Sequence, residues 1–298
     1  MFNSDSTYLD LINSSLGKYS SHLLGYPYSK EGKIIDTSNP WPMKEVIKDL
    51  NYLEELEKKN QIFYKEFNNM SSMLLCKNKA RSKVAIVVAG GGYSSVCTLP
   101  ESFPVAIKLH ELGFTSITFN YSLGKEAINS IDELSSLVKY LEANQRSLNI
   151  DMDKYIVIGF SAGGHLVASL GCVYKARNIA KPGLLGLCYP VISMKDEFAE
   201  KGTRRNLLGE NPSKEDIRRY SIEEHVDSSY PPSFIWACKD DNVVPSINSY
   251  LLAKGLSNLN IPNRLCFYKG NVHGYGLGSG SVVDGWLDKL LSFYNELY

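Results

Sequence analysis

The sequence has no surplus of either charge and no long hydrophobic run. Its 298 residues include 32 Lys and Arg against 32 Asp and Glu, so the formal net charge at pH 7 is zero. A balanced chain gives no indication of binding to nucleic acid or to an anionic membrane surface. No stretch reaches the roughly 18 apolar residues of a membrane-spanning helix, and the first residues show no cationic start followed by an apolar segment. We therefore expect a cytoplasmic protein without nucleic-acid or membrane partners.

Cysteine is scarce, and the common metal and nucleotide motifs are missing. None of the six cysteines belongs to a Cys-x-x-Cys pair, and several lie in apolar runs. Buried thiols are therefore expected rather than disulfides or metal ligands. The chain contains no His-Glu-x-x-His, no Gly-Lys-Ser/Thr phosphate loop and no Gly-x-Gly-x-x-Gly pattern. We expect neither a metal nor a cofactor, and composition gives no indication of the oligomeric state.

The chain divides into two predicted parts near residue 80. In residues 1–80, apolar side chains recur at helical spacing over 43–60, which predicts an amphipathic helix in an N-terminal arm packed on the core. In residues 81–298, short apolar segments alternate with helical ones. This alternation predicts an α/β domain with a mostly parallel central sheet and helices on both faces. A charged stretch at about 193–232 interrupts the alternation and is interpreted as a small cap-like insertion.

Strands and helices of the second part follow from these patterns. Continuous apolar runs of four to six residues are typical of strands buried on both faces. The predicted strands are 84–89, 115–119, 155–158, 184–189, 233–238 and 264–268. The predicted helices are 104–112, 131–141, 162–171, 246–256 and 282–294.

A serine in a G-x-S-x-G pattern gives the first indication of chemistry. Ser161 lies in Gly159-Phe160-Ser161-Ala162-Gly163, directly after the third predicted strand. The small residues permit a sharp strand-to-helix turn that projects the hydroxyl as a nucleophile. A serine hydroxyl is a weak nucleophile at neutral pH, so it needs a general base, and the base needs an orienting partner.

Two later strand ends supply these partners in the order Ser, Asp, His. Asp241 follows the fifth predicted strand, and His273 follows the sixth. Because the carboxyl ends of parallel strands meet at one edge of a sheet, we expect His273 to act as base for Ser161 and Asp241 to orient His273. Asp240 is the alternative orienting residue, although the Asp-x-x-Val-Pro spacing favours Asp241. His165 is interpreted as a packed histidine rather than a base.

The loop after the first predicted strand is rich in glycine. It reads Ala89-Gly90-Gly91-Gly92-Tyr93, and glycines let a backbone approach a substrate oxygen closely. Acyl transfer needs N–H donors aimed at the developing oxyanion, which we expect from this loop and from Ala162. Tyr93 and Glu101 are candidate pocket-lining residues. Simple packing for Tyr93 and solvent exposure for Glu101 are the alternatives.

Together these motifs resemble α/β-hydrolase-fold esterases, in particular the acetyl-xylan-esterase-like group related to the hormone-sensitive-lipase-like esterases. The resemblance covers about residues 83–298. It rests on Gly90-Gly91-Gly92-Tyr93, Gly159-Phe160-Ser161-Ala162-Gly163-Gly164-His165, Cys188-Tyr189-Pro190-Val191, Asp241-Asn242-Val243-Val244-Pro245 and His273-Gly274.

The resemblance implies an α/β-hydrolase fold with Ser161, Asp241 and His273 as catalytic residues. It also implies an oxyanion hole formed by Gly91, Gly92 and Ala162. The chain departs from the hormone-sensitive-lipase-like pattern at Ala89, where a histidine precedes the glycines of the family. The backbone donors are unaffected by this departure, but any role of that histidine is lost.

The predicted function is a serine carboxylic-ester hydrolase that acts on short, acetyl-like acyl esters through an acyl-enzyme on Ser161. An O-acetylated carbohydrate or another small-molecule ester is the expected substrate. An amide or formamide hydrolase of the arylformamidase or peptidase type would use the same machinery and is the alternative. A relict hydrolase fold used only for binding is disfavoured, because Ser161, Asp241 and His273 are all present.

Overall fold

Apolar segments along the chain form one eight-stranded sheet in the computed structural model, which describes residues 1–35 and 45–298. Its strands occur in the spatial order β1-β2-β4-β3-β5-β6-β7-β8. The pairs from β4 through β3 to β8 are parallel, whereas β1 with β2 and β2 with β4 are antiparallel. The strands are β1 (Ile62–Glu66), β2 (Ser72–Cys76), β3 (Ser82–Val88), β4 (Thr115–Asn120), β5 (Ile150–Phe160), β6 (Leu184–Cys188), β7 (Ser233–Cys238) and β8 (Asn263–Tyr268).

Helices cover both faces of this sheet. Alternate side chains of β3 show the division: Ile86 and Val88 join the core beneath α5 and α7, and Ala85 and Val87 join the core beneath α4 and α11. The mostly parallel sheet with helices on both faces is therefore confirmed. The helices are α1 (Tyr8–Asn13), α2 (Ser20–Leu23), α3 (Val46–Lys58), α4 (Phe103–Glu111), α5 (Ser130–Ala143), α6 (Gln145–Leu148), α7 (Ser161–Val173), α8 (Lys201–Leu208), α9 (Lys214–Arg219), α10 (Ile247–Asn258) and α11 (Trp286–Leu297).

The first 80 residues contribute two strands that the sequence analysis missed. The hairpin of β1 and β2 extends the sheet beyond β4, so the division drawn at residue 80 runs between two strands of one sheet. His22 joins the N-terminal segment to this region, because its Nδ1 lies 2.7 Å from Ser72 Oγ and its Nε2 2.8 Å from Thr118 Oγ1. Burial lowers the pKa of His22 to about 3, so the imidazole is neutral in the core.

The helix predicted at 43–60 corresponds to α3, and the first residues of that range, 43 and 44, lie outside the described residues. α3 packs on α4 through a 3.1 Å ion pair between Lys48 and Glu111. Asp49 faces inward with 4% of its surface exposed, and its Oδ2 has no hydrogen-bond partner among the described residues. Burial, assisted by the nearby charge of Glu45, raises the pKa of Asp49 to about 8.

The charged stretch between β6 and β7 contains two short helices. α8 and α9 both lie within the predicted insertion, and α8 contacts the turn formed by residues 124–129. Within the ranges 1–35 and 45–298, no helix combines the length and the hydropathy needed to cross a bilayer.

We expect Asp49→Asn to stabilise the protein more at high pH than at low pH. Folded Asp49 keeps its proton up to about pH 8, whereas in the unfolded chain it ionises near the ordinary value of 3.8. Folding therefore takes up a proton between these values, and stability falls as pH rises through this window. Asparagine does not ionise, so the variant does not lose stability in this way. The difference in melting temperature, variant minus wild type, should therefore increase from pH 5 to pH 9.

Thermal unfolding followed by circular dichroism at pH 5, 7 and 9 measures this difference. Asp288→Asn makes the same change at an exposed position of α11 and serves as the control. A difference between Asp49→Asn and wild type that stays constant from pH 5 to pH 9 would contradict the assignment.

Candidate active site

Ser161 occupies a sharp turn between β5 and α7. β5 ends at Phe160 and α7 begins at Ser161, whose φ of +51° lies in the left-handed region that residues with a side chain rarely adopt. Such strain persists only where the surrounding structure enforces it. The turn places the serine at the N-terminal end of α7, with 8% of its surface exposed.

Glycines on either side of Ser161 allow backbone to pack on backbone. A Cβ on Gly159 would lie 2.8 Å from the carbonyl carbon of Gly163. A Cβ on Gly163 would lie 2.5 Å from the carbonyl oxygen of Val88, at the end of β3. Neither position has room for a larger residue, so the two glycines of the motif are required by the packing of α7 against β3 and β5.

Ser161, His273 and Asp241 form a continuous chain of hydrogen bonds. The Nε2 atom of His273 lies 2.8 Å from Ser161 Oγ, and its Nδ1 atom lies 2.7 Å from Asp241 Oδ2. The side chain of Asp241 is fully buried and that of His273 is 13% exposed. With the imidazole neutral and its proton on Nδ1, Nε2 is free to accept the proton of the serine hydroxyl.

The loop after β7 separates the two candidate carboxylates. Asp241 turns inward, and its Oδ1 accepts hydrogen bonds from the N–H groups of Val243 at 2.9 Å and Val244 at 3.0 Å. These bonds fix the carboxylate so that Oδ2 faces His273. Asp240 is exposed to solvent. The structure thus brings Asp241, rather than Asp240, to the imidazole.

The glycine loop after β3 lies against the serine. A Cβ on Gly90 would be 2.8 Å from Ser161 Cβ, and both Gly91 (φ +126°) and Gly92 (φ +61°) adopt left-handed backbone angles. Among the described residues, no acceptor engages the N–H groups of Gly91 and Gly92. Ala162 is the second residue of α7, where a backbone N–H has no partner within the helix. The three predicted donors are therefore available to a ligand.

Helix α8 of the insertion is in direct contact with this loop. The amide nitrogen of Asn206 donates a 2.7 Å hydrogen bond to the carbonyl oxygen of Gly92. Thr203, one turn earlier, is buried, and its hydroxyl would be 3.6 Å from a Cβ on Gly92. Neither residue was predicted from the sequence, because a polar residue in a charged, irregular stretch carries no local signal of what it contacts.

Tyr93 and Glu101 are both buried. The Tyr93 hydroxyl lies 2.9 Å from His165 Nδ1, and Tyr93 also borders a cavity of about 360 Å³ next to α8 and α9. His165 Nε2 lies 2.9 Å from the carbonyl oxygen of Tyr220, and burial lowers the pKa of this histidine to about 4. Glu101 is 3% exposed and lies behind the glycine loop. The alternative prediction that Glu101 is exposed to solvent is therefore wrong.

The cysteines and other potential metal ligands do not cluster. All six cysteines are free thiols, and four of them are buried. The part of the chain that the structure describes contains no group of three or more His, Cys, Asp or Glu side chains that could hold a metal ion.

The strand order β1-β2-β4-β3-β5-β6-β7-β8, with a serine turn after β5 and partners after β7 and β8, is the architecture of an α/β hydrolase. The family model described as BD-FAE matches residues 73–184. In sequence, the chain is 31% identical over 218 residues to endo-1,4-beta-xylanase B of Butyrivibrio fibrisolvens, covering 67% of this chain and 34% of that protein. It is 30% identical over 205 residues to the acetylxylan esterase of Xylanibacter ruminicola, covering 66% of this chain and 42% of that protein.

One solved structure is matched over most of its length. The acetyl ester-xyloside bifunctional hydrolase from Caldicellulosiruptor lactoaceticus is 30% identical, with a TM-score of 0.69, over 77% of this chain and 89% of that one. The chain belongs to the α/β-hydrolase-fold esterases, which confirms the resemblance seen in the motifs. It spans less than half the length of the two curated relatives.

Asp241→Asn should reduce kcat for p-nitrophenyl acetate on the order of 10³–10⁴-fold, because an amide facing Nδ1 favours the wrong imidazole tautomer. Asp240→Asn changes the neighbouring, exposed carboxylate in the same way and should retain kcat within about twofold. Steady-state kinetics of both variants measure the contrast. A large loss in Asp240→Asn, or an active Asp241→Asn, would reverse the assignment of the orienting residue.

Proposed function

We propose that the protein hydrolyses carboxylic esters of short acyl groups through a covalent acyl-enzyme on Ser161. The observation that supports this most directly is the unbroken hydrogen-bonded chain from Ser161 Oγ through His273 to Asp241. Ser161 adopts a strained left-handed conformation at the N-terminus of α7 and is hydrogen-bonded to the His273–Asp241 pair. This is the geometry of an activated nucleophile. Membership of the esterase family is consistent with this chemistry.

In the first half of the proposed reaction, His273 Nε2 takes the hydroxyl proton as Ser161 Oγ attacks the ester carbonyl carbon. The carbonyl oxygen becomes negative and is stabilised by the N–H groups of Gly91, Gly92 and Ala162. Asp241 stabilises the imidazolium that results. As the tetrahedral intermediate collapses, His273 returns the proton to the alcohol oxygen, and the bond between that oxygen and the acyl carbon breaks.

In the second half, water replaces the alcohol. His273 takes a proton from the water, whose oxygen attacks the acyl carbon of the Ser161 ester. The same three N–H groups stabilise the second oxyanion. Collapse of this intermediate returns the proton to Ser161 Oγ and releases the carboxylic acid. One imidazole thus serves as base and acid in both halves.

We further propose an O-acetylated carbohydrate as the substrate. The support comes from the names of two relatives, an acetylxylan esterase and an acetyl ester-xyloside bifunctional hydrolase. Helix α8 of the insertion contacts the glycine loop through Asn206, and in this proposal it would lie beside the alcohol part of the ester.

Ser161→Ala should abolish hydrolysis of p-nitrophenyl acetate and labelling by a fluorophosphonate probe, because the nucleophilic oxygen is removed. The melting temperature should change little, since the change only removes an oxygen. Ser169→Ala, on the same helix, removes a hydroxyl that donates to the carbonyl oxygen of His165 and should keep full activity and labelling. Turnover and labelling that survive in Ser161→Ala would refute the acyl-enzyme proposal.

A substrate panel should distinguish ester from amide chemistry. We expect the highest kcat/KM among p-nitrophenyl esters for acetate, and release of acetate from acetylated xylo-oligosaccharides. N-formylkynurenine should be a poor substrate. Product release measured by chromatography under identical conditions makes the comparison. Hydrolysis of the formamide without release of acetate would instead support the formamide-hydrolase alternative.

A further inference from the structure

Glu101 is a buried acid that the proposed reaction does not use. It lies in the short helical turn Thr98–Ser102 that precedes α4, and 3% of its surface is exposed. Both carboxylate oxygens accept hydrogen bonds from other parts of the site. A buried carboxylate is costly unless it is fully bonded, so its position here needs an explanation.

One oxygen holds the glycine loop. Oε2 of Glu101 accepts a hydrogen bond from the backbone N–H of Gly90, the residue before the two predicted oxyanion donors. A Cβ on Gly90 would lie 3.1 Å from this oxygen and 2.8 Å from Ser161 Cβ. Glu101 therefore fixes the start of the loop directly beside the nucleophile.

The other oxygen reaches the loop that carries the base. Oε1 of Glu101 accepts a 2.7 Å hydrogen bond from the Tyr189 hydroxyl, and the same hydroxyl accepts one from the N–H of Gly276 at 3.0 Å. Gly276 follows His273 by three residues. The Tyr189 ring also contacts the His273 ring, with centroids 4.6 Å apart. Two loops that are far apart in sequence thus meet at one carboxylate.

The charge of Glu101 acts on His273 as well. Burial raises the pKa of Glu101, and the hydrogen bonds from Gly90 and Tyr189 together with the charge of His273 act against this. Burial raises the pKa of the other ionisable groups around Glu101, so they are neutral at pH 7; these are Cys97, Tyr121, Cys188 and Tyr189. The carboxylates that also face His273 are Asp241, which is bonded to it, and Glu200 at the start of α8.

We propose that Glu101 is a positioning residue whose buried carboxylate holds the glycine loop and the His273 loop at a fixed spacing and stabilises the imidazolium form of His273. This rests on the proposed function of Ser161 and His273. The imidazolium forms in both halves of that reaction, so a nearby fixed negative charge favours both transition states. In this role Glu101 acts through the glycine loop and His273 rather than through the reacting atoms.

Glu101→Gln keeps the shape of the side chain and removes its charge. We expect kcat for p-nitrophenyl acetate to fall about tenfold while KM stays within about twofold, because an interaction realised in the transition state is lost. Removing the negative charge makes the imidazolium less stable, so the acid limb of the kcat/KM profile should move to lower pH by at least about 0.5 unit.

Glu133→Gln is the matched control. Glu133 is also a buried carboxylate that accepts a backbone N–H and a hydroxyl, both from Ser122, and it lies on α5 away from His273. A purely structural effect of removing a buried charge would appear in both variants, but the shift of the acid limb should appear only in Glu101→Gln. Equal kcat values and equal acid limbs in the two variants would overturn the proposal.

Tyr189→Phe tests the connection between the loops without changing the charge. For Tyr189→Phe we expect a severalfold lower kcat and an acid limb at the wild-type pH. If Glu101→Gln does not fold, Tyr189→Phe still tests whether the connection between the two loops contributes to kcat. A Tyr189→Phe variant with wild-type kcat would refute the role of the connection. An NMR titration of the His273 imidazole requires no turnover, so its midpoint in wild type and Glu101→Gln tests the charge effect even if no ester is hydrolysed.

Discussion

The direct packing of backbone on backbone at the start of α7 is the constraint on which the site depends. Because Gly159 and Gly163 have no side chains, α7 approaches β3 and β5 closely enough to force Ser161 into a left-handed conformation. The same approach brings the end of β3 next to Ser161, so the glycine loop begins beside that residue. The positions of the hydroxyl, of the free N–H group of Ala162 and of the loop donors therefore all follow from two missing Cβ atoms.

Sequence patterns could predict the strands of the sheet and the residues that follow them, because burial in the sheet requires apolar residues at neighbouring positions along the chain. The central parts of most inner strands are apolar because both faces of the sheet are covered, as is typical of a parallel sheet. Asp241 and His273 could be assigned because the carboxyl ends of parallel strands gather at one edge, which turns order along the chain into proximity in space. The Asp-x-x-Val-Pro spacing favoured Asp241 over Asp240, and the loop conformation shows the physical reason, since it turns only the Asp241 carboxylate inward to His273.

Other features left no local trace in the sequence. β1 lies at the edge of the sheet and includes Lys65 and Glu66, so its pattern resembles that of a surface segment. β2 is mostly apolar, but it lies in a region of mixed composition and pairs antiparallel with β4, whose residues are 40 to 48 positions further along the chain. Asn206 contacts a residue 114 positions away, and such a contact has no periodicity that a single sequence can reveal. Glu101 was a candidate pocket-lining residue, but its hydrogen bond to the N–H of Gly90 could not be read from the sequence.

The hydrogen bond between Ser161 and His273 joins residues 112 positions apart, and it closes only after β6, β7 and β8 have been added to the sheet. Closing such long loops costs conformational entropy before any contact compensates for it, and folds rich in distant contacts form slowly. Because synthesis runs from the N-terminus, a chain emerging from the ribosome contains Ser161, the proposed nucleophile, 112 residues before His273, its proposed base. In the proposed reaction, a nascent molecule that contains Ser161 but not yet His273 has no base for the hydroxyl proton, so activity requires synthesis of the residues beyond β8.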